Sequence, residues 1–357
     1  MGYIFIFFIN GIVLFIKKKY QKIVYLFLTF FYIFYFGTAM ELGKDYFEYK
    51  KMFEMFENSH ILSSPIEKGY LLFISFVKYC LSGNFQVFIF FNTLIIFLLI
   101  FKAIPYYTNY ILLSLLFFLR GEAFSSLGGS RQGLASMLYF YSLIYLLKNK
   151  NIKYFILNLV GLSFHRISLL FYFTYFIIKK QYKTLYLKYF ILFSIGLYFV
   201  DLKEMAKKFL YFLPYSYQYK YLYYFENENY MKNRGLSINM IISLGVVFLL
   251  LKYREKLEEK YKYFNIMLNN YILGIFVSFG LNSVYVLSYR LSQIFQIYDA
   301  IIYTYIFYIF SKKNKILKYF LLILFILYSY ISFSKNYLTY NKKAYSPYKN
   351  YFFRSEK

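Results

Sequence analysis

Arginine side chains are the first candidates for chemistry in this sequence. Seven of its 42 basic residues are Arg. In the topology derived below, six of them lie at or near the outer side: Arg120, Arg131, Arg166, Arg234, Arg290 and Arg354. Arginine stays charged when partly buried and holds phosphate oxygens with a planar fork. The set therefore predicts an anionic ligand at the outer face of a membrane, although each Arg could instead snorkel to the interface or pair with a loop carboxylate.

Arg131 lies in the most informative of the local motifs. It follows the glycine-rich bend Gly128-Gly129-Ser130 and opens a predicted helix. Backbone N–H groups at a helix N-terminus, together with an Arg, make a good anion site. Arg290 opens another predicted helix and repeats this arrangement. Glycines also simply turn chains, so the bend has a purely structural interpretation as well.

A second motif contains the only histidine that the hydropathy pattern places within an apolar region, His165, followed by Arg166. A neighbouring Arg disfavours the charged imidazolium, so a neutral His165 could accept a proton. A lone histidine is also a common satisfied core residue.

Two carboxylates bracket a hydrophilic segment near the start of the chain. They occur as Asp45-Tyr46 and as Glu67-Lys68-Gly69-Tyr70. Each carboxylate could orient a sugar hydroxyl or act as a base, and each could equally be a solvated loop residue.

Metal and nucleotide chemistry have no sequence signature here. Two His and one Cys, Cys80, cannot build a closed structural zinc site unless carboxylates complete it, and one Cys cannot form an internal disulfide. Walker, dinucleotide-binding, HExxH and nucleophile-elbow motifs are absent from the sequence. We therefore expect no metal and no cofactor.

The elements that position these residues are predicted to be membrane helices. The chain is 60% hydrophobic, and apolar runs recur throughout it, for example at 23–40 and 316–333. A spanning helix needs about 20 apolar residues, and the continuous runs favour helices over a barrel. The sequence predicts an all-α, polytopic helix bundle of about ten spanning helices plus re-entrant segments, in a single transmembrane domain over 1–357.

The net charge of +26 follows from Lys clusters between the apolar runs. This is the pattern of cytoplasmic loops that contact anionic lipid, so we expect no nucleic-acid partner. The clusters place external loops at 41–68 and 201–235 and an external tail from 334. The first helix, about 2–16, is expected to be uncleaved because its charges follow its apolar stretch.

Two segments do not fit as simple spans. Residues 69–82 are apolar but short, which predicts a re-entrant or interfacial helix on the outer side. Residues 154–178 have Lys clusters at both ends, which favours a re-entrant hairpin with His165 and Arg166 at its turn over one long tilted helix. Polar groups at that depth are tolerated only inside protein or a water-filled cavity.

The order of these motifs resembles that of the EpsG-type, Wzy-like bacterial polysaccharide polymerases over roughly residues 40–300. The residues that carry the resemblance are Asp45, Tyr46, Glu67, Gly69, Tyr70, Arg131, Gln132, Ala135, Phe164, His165, Ser168 and Arg290. Arg166 departs from the pattern, because the family often has other residues there.

The resemblance implies a metal-independent, GT-C-like glycosyltransferase in the bacterial inner membrane. Its substrates would be undecaprenyl-diphosphate-linked glycans, as donor and as acceptor, and a chain-length regulator could assist it. His165, Glu67 and Asp45 would be catalytic. Arg131, Arg290, Arg166 and Arg120 would bind the diphosphate, and Gln132, Tyr70, Tyr46 and Arg234 would bind the remaining substrate.

Two other functions remain open at this point. A lipid-oligosaccharide flippase or other transporter should have charged residues through a central cavity and repeat symmetry, whereas polar residues here concentrate on the outer side. A glycan ligase would use the same donor, and residue types do not separate it from a polymerase.

Overall fold

The fold is described from a computed structural model. It describes residues 2–61, 63–121, 127–212, 235–312, 314–340 and 342–353. These residues are almost entirely helical, so the predicted all-α class is confirmed. They divide into two compact units, residues 1–177 with 303–357 and residues 178–302.

The first unit contains the motifs singled out above. Its helices are α1 Gly2–Val13, α2 Gln21–Gly37, α3 Tyr46–Glu54, α4 Lys68–Ser75, α5 Phe85–Tyr107, α6 Ile111–Arg120, α7 Arg131–Leu147, α8 Asn151–Phe164 and α9 Leu169–Ile178, which ends at the unit boundary. A π-helical turn, Phe76–Cys80, extends α4. Helix α7 packs against α5 and α8, and α5 also packs against α2.

The second unit consists of helices that the hydropathy pattern largely anticipates. They are α10 Thr184–Leu197, α11 Lys203–Leu210, α12 Ile238–Lys252, α13 Arg254–Lys260, α14 Phe264–Gly280 and α15 Tyr285–Gln296. Helix α14 packs against α10, α12 and α15. The chain then continues with α16 Asp299–Ser311, which crosses the unit boundary, and with α17 Lys315–Phe333 and α18 Lys342–Tyr345 of the first unit.

Few of the described helices reach spanning length as continuous segments. Two are long and apolar enough to cross a membrane, at Phe85–Tyr107 and Lys315–Thr339, and the broken pair Leu287–Gln296 and Asp299–Ser311 would make a third. Seven more apolar helices have 10–17 residues. The count of about ten spans therefore stays a prediction.

Arg290 does not open a helix as the sequence predicted. The structure instead has a helix that begins at Tyr285, a break after Gln296 and a new helix from Asp299. Arg290 lies inside the earlier helix, so its comparison with Arg131 as a helix-opening residue was wrong.

A helical hairpin forms from α8 and α9. His165 has an extended backbone, φ −157° and ψ 130°, which ends α8. The Tyr154 hydroxyl donates to the Phe171 carbonyl (2.6 Å), and the Tyr172 hydroxyl donates to the Phe155 carbonyl (3.2 Å). Contacts between residues so far apart along the chain require it to fold back near His165, which lies at the turn. Whether the hairpin enters a membrane from one side stays a prediction.

A short β-ribbon joins distant parts of the first unit. Strand β1, Ala39–Met40, pairs antiparallel with β2, Lys349–Asn350. The start of the predicted external loop and the predicted external tail therefore lie at one end of this unit.

Candidate functional site

The candidate site lies where four elements of the first unit meet. They are α3, the residues that precede α4, the start of α7 and the turn between α8 and α9. Arg131, Glu67, His165 and Arg166 come together there, although the sequence separates Glu67 from Arg166 by 99 positions. The Lys-rich segment follows the last residue of α7, so it lies at the end of that helix opposite the site.

Local sequence explains why α7 begins at Arg131. Gly128 and Gly129 both have positive φ, 76° and 86°, which side chains with a Cβ rarely adopt. Ser130 then caps the helix, because its hydroxyl accepts from the Gly133 N–H at 3.0 Å. The Arg131 side chain therefore leaves the first turn of a helix whose N–H groups favour negative charge.

Three side chains hold the guanidinium of Arg131. Its Nη1 donates to Glu67 Oε2 at 2.5 Å, and its Cζ lies 5.7 Å from the centre of the Tyr70 ring. Tyr49 lies close enough to Arg131 for the guanidinium to act on the pKa of the Tyr49 phenol. The Arg131 side chain is 23% exposed, and among the described residues its buried Nε has no hydrogen-bond partner. A further acceptor oxygen would satisfy that nitrogen.

Glu67 links Arg131 to the hairpin turn. Its Oε1 accepts from the Arg166 N–H at 3.2 Å and lies 4.0 Å from Arg166 Nε. Burial raises the pKa of the Glu67 carboxyl, but Arg131 and backbone N–H groups outweigh it, so the net pKa is lowered. Glu67 is therefore an ionised partner of the Arg residues at neutral pH.

Arg166 is the more accessible of the two Arg side chains. It is 52% exposed, and its Nη2 donates to the Pro65 carbonyl at 3.1 Å. Glu67 therefore contacts two positive groups, the largely enclosed guanidinium of Arg131 and the exposed guanidinium of Arg166.

His165 has one ring nitrogen already in use. Its Nδ1 accepts from the Ile167 N–H at 3.2 Å and so caps the short helix Arg166–Ser168. A neutral imidazole with Nδ1 as acceptor carries its proton on Nε2. This geometry favours a hydrogen-bond donor at Nε2 of the half-buried ring.

Gly69 allows α4 to approach the hairpin turn. A Cβ at this position would lie 2.7 Å from Ser163 Cβ and 2.8 Å from the Ser163 carbonyl oxygen. Such contacts are closer than real Cβ atoms make, so only glycine fits without a shift of the backbone. The Glu-x-Gly pattern of the sequence thus has a packing reason.

The tyrosines of the two loop motifs, Tyr46 and Tyr70, are both buried in the first unit. Tyr70 is fully buried, and its hydroxyl donates to the Gly129 carbonyl at 3.1 Å. Tyr46 is also buried and packs edge-on against Phe85 at 5.2 Å. In contrast, Asp45 is exposed and Gln132 is partly exposed.

The remaining predicted residues have other surroundings. Arg120 is 9% exposed, and its Cζ lies 4.8 to 5.8 Å from the ring centres of Phe117, Tyr303 and Tyr328. Arg290 is exposed and belongs to the second unit. Arg234 lies outside the described residues.

Sequence reasoning missed Tyr49. This residue is one helical turn beyond Asp45 and Tyr46, and its ring lies 5.9 Å from that of Tyr70. Burial raises the pKa of Tyr49 more than Arg131 lowers it, so the phenol stays neutral. The spacing of Asp45, Tyr46 and Tyr49 on one helix was the available signal, but the many other tyrosines in the chain concealed it.

The residues that the structure describes include no cluster of three or more His, Cys, Asp or Glu side chains suited to a metal ion.

Comparison with known families identifies the family of this chain. The model of the EpsG family matches residues 22–350, which is nearly the whole chain. Comparisons with curated proteins and with solved structures gave no match. The matched range includes every residue on which the earlier resemblance rested, so that resemblance is confirmed.

Proposed function

The chain belongs to the EpsG family and is a polysaccharide-polymerase-like membrane protein, and from this premise we propose that it is a glycosyltransferase. It polymerises undecaprenyl-diphosphate-linked oligosaccharide repeat units at the outer face of the bacterial inner membrane. Its donor and its acceptor are both lipid-linked glycans.

The observation that carries this proposal is the enclosed guanidinium of Arg131. Glycosyl transfer from a diphosphate carrier breaks the bond between the anomeric carbon and a phosphate oxygen. Negative charge then develops on the leaving diphosphate. Positive groups that are already in place stabilise this charge without reorganisation, which is usually the largest catalytic contribution. Glu67, Tyr49 and Tyr70 fix Arg131 in this way.

Two positive groups suit two linked phosphates. In our proposal, Arg131 binds the phosphate next to the bond that breaks, and the exposed Arg166 binds the outer phosphate. The start of α7 contributes the positive end of its dipole to the same region. Because the donor is already activated, the reaction needs no nucleotide.

The three predicted catalytic residues divide into different roles. Glu67 is engaged by Arg131 and Arg166 and its pKa is lowered, so it is a weak base and we propose that it positions the Arg residues. Asp45 is exposed beside the helix that presents Tyr49, and we propose it as the base. His165 donates through Nε2 to a substrate oxygen.

The reaction is then a single displacement. The acceptor hydroxyl attacks the anomeric carbon of the donor as its proton passes to Asp45. A new glycosidic bond forms, the bond to the phosphate oxygen breaks, and the lipid diphosphate leaves. One displacement inverts the configuration of the anomeric carbon.

The test is the length of lipid-linked glycan in cells that lack the gene and express variants. Wild-type protein should give long chains. Arg131→Ala should remain in the membrane but leave single repeat units on the lipid, and Arg131→Lys should restore little because Lys lacks the planar fork. Lys102→Ala is a matched control, since it removes an exposed positive charge on α5.

Each outcome has a defined meaning. Wild-type chain lengths with Arg131→Ala would remove Arg131 from the site. Repeat units that stay on the cytoplasmic side when the gene is absent would instead indicate a flippase. Long lipid-linked chains that fail only to reach their final acceptor would indicate a ligase.

A further inference from the structure

We infer that residues 344–351, which we call the clasp, position Arg131 from a distance. The inference rests on the proposed function, because it concerns how well Arg131 is placed for a diphosphate. The clasp does not touch Arg131. It holds the loop 38–43, and this loop packs on the glycine turn that starts α7.

The clasp is bound to the loop along its length. Strand β2 pairs with β1, the Tyr351 N–H donates to the Thr38 carbonyl at 2.9 Å, and the Gly43 N–H donates to the Ala344 carbonyl at 2.9 Å. Side chains add to this, since Asn350 Nδ2 donates to Thr38 Oγ1 at 2.7 Å and Lys349 pairs with Glu41. Both ends of the loop are therefore bonded to the clasp.

Tyr348 anchors the clasp to the helical body. Its ring stacks on that of Tyr35 in α2 at 4.3 Å, with 12° between the planes, and contacts Tyr3 edge-on at 5.6 Å. The Tyr348 hydroxyl also donates to the Tyr35 carbonyl at 2.7 Å. The clasp thus contacts both α1 and α2, and it can restrain the loop relative to them.

The loop in turn restrains the glycine turn. A Cβ on Gly128 would collide with the Leu42 carbonyl oxygen and would lie 3.7 Å from Gly43 Cα. Gly43 itself has φ 109° and faces the Leu127 carbonyl. Glycines have many accessible conformations, so a turn of two glycines keeps one conformation only where its surroundings enforce it.

The glycine turn sets the direction of Arg131. Gly129 accepts from Tyr70, and the next residue, Ser130, caps α7. A shift of Gly128 would therefore move the helix start and the guanidinium with it. Gln86 supports the first part of the loop, at the Gly37 and Ala39 carbonyls. Nearer to Gly128, the clasp holds the Gly43 N–H, and the Gly43 carbonyl accepts from the Tyr46 N–H at 3.4 Å.

The experiment first removes contacts of the clasp by substitution, which gives the open clasp, and then joins β1 and β2 again with a disulfide. The background is Cys80→Ser, because Cys80 is exposed. Asn350→Ala with Glu41→Gln removes the Thr38 contact and the ion pair with Lys349, and it leaves the Tyr348 anchor in place. Met40→Cys with Lys349→Cys then adds a disulfide across partners of the ribbon, whose expected Cα separation of about 4.5 to 5.5 Å suits such a bond.

Two readouts separate the clasp from the proposed function. The first is hydrogen exchange of peptides that cover 127–134 in the full-length protein in detergent micelles. The second is calorimetric binding of farnesyl diphosphate, with Arg131→Ala as the reference for lost binding. Phe352→Ala is the control, since Phe352 is 74% exposed just beyond the clasp.

We expect the open clasp to speed exchange at 127–134 and to weaken farnesyl diphosphate binding about tenfold. The disulfide should reverse both effects, and its reduction should bring them back. Exchange of peptides from α14 should stay as in wild type throughout, which a general loss of stability would not allow. Unchanged exchange at 127–134, or unchanged Arg131-dependent binding, would overturn the clasp. The wild type could bind no farnesyl diphosphate while the open clasp still speeds exchange at 127–134. That result would overturn the proposed function but would leave the link between the clasp and the glycine turn intact.

Discussion

Glu67 and Arg131 form an ion pair across 64 positions of sequence, with Arg131 Nη1 2.5 Å from Glu67 Oε2. The carboxylate also accepts from the backbone of Arg166. One side chain therefore joins the start of α4, the start of α7 and the hairpin turn, and the loss of Glu67 should disturb all three.

Glu67→Gln should lower the thermal stability of the protein in detergent micelles. The substitution keeps the shape of the side chain but removes the negative charge that Arg131 faces, so we expect a loss of about 1 to 3 kcal/mol in the free energy of unfolding. Glu54→Gln is the control, because its ion pair with Lys50 is exposed on both sides and should contribute little. Equal losses for the two variants would contradict the importance of the Glu67 pair.

The contribution of Glu67 should also depend on pH in a defined direction. Its folded pKa lies below the ordinary value of 4.5, so its stabilisation is fully present above that value and is lost as the pH falls through the lowered pKa. Thermal melting of wild type and Glu67→Gln from pH 7 to pH 4 should show a difference in stability between them. This difference should be constant down to about pH 4.5 and should become smaller below it. A difference that stayed constant over the whole range would mean that Glu67 does not titrate as an ion-pair partner.

Gly69→Ala should destabilise the site region by about 1 to 3 kcal/mol, because the new methyl group would overlap Ser163. Gly196→Ala is a matched control in α10, since nothing lies within 4 Å of its Cβ position, and alanine there should be neutral or stabilising by up to about 1 kcal/mol. The comparison is made by thermal melting and by exchange of peptides over 163–168. Similar behaviour of the two variants would contradict the close packing of α4 on the hairpin turn.

The hairpin predicts access to position 165 from outside the cell. A His165→Cys variant in the Cys80→Ser background should react with an impermeant thiol reagent added externally. Lys150→Cys, in the Lys-rich turn at the opposite end of the hairpin, should react only in inverted vesicles. Labelling of position 165 only from the cytoplasmic side would overturn the re-entrant arrangement.

Several features of the fold could be predicted from sequence because they depend on neighbours along the chain. The start of α7 at Arg131 follows from two glycines and a capping serine, and the break at His165 follows from apolar segments with Lys clusters at both ends. Arg290 was misplaced because hydropathy does not reveal a break inside a continuous apolar run, such as the one after Gln296. The role of Tyr49 was missed because it depends on a contact with Arg131 that only the fold creates. Its helical spacing from Asp45 and Tyr46 did not stand out among the 48 tyrosines of the chain.

The sequence alone determined that this is a helical membrane protein of the EpsG family and which Arg and carboxylate residues to consider. Those conclusions depend on local composition and on motif order, which the chain carries without folding. Only the tertiary structure decided that Glu67 pairs with Arg131, that the Arg131 guanidinium lies over the Tyr70 ring and that β2 pairs with the loop 38–43. Such contacts join residues up to 313 positions apart, and they form only when helix packing brings those residues to the same end of the unit.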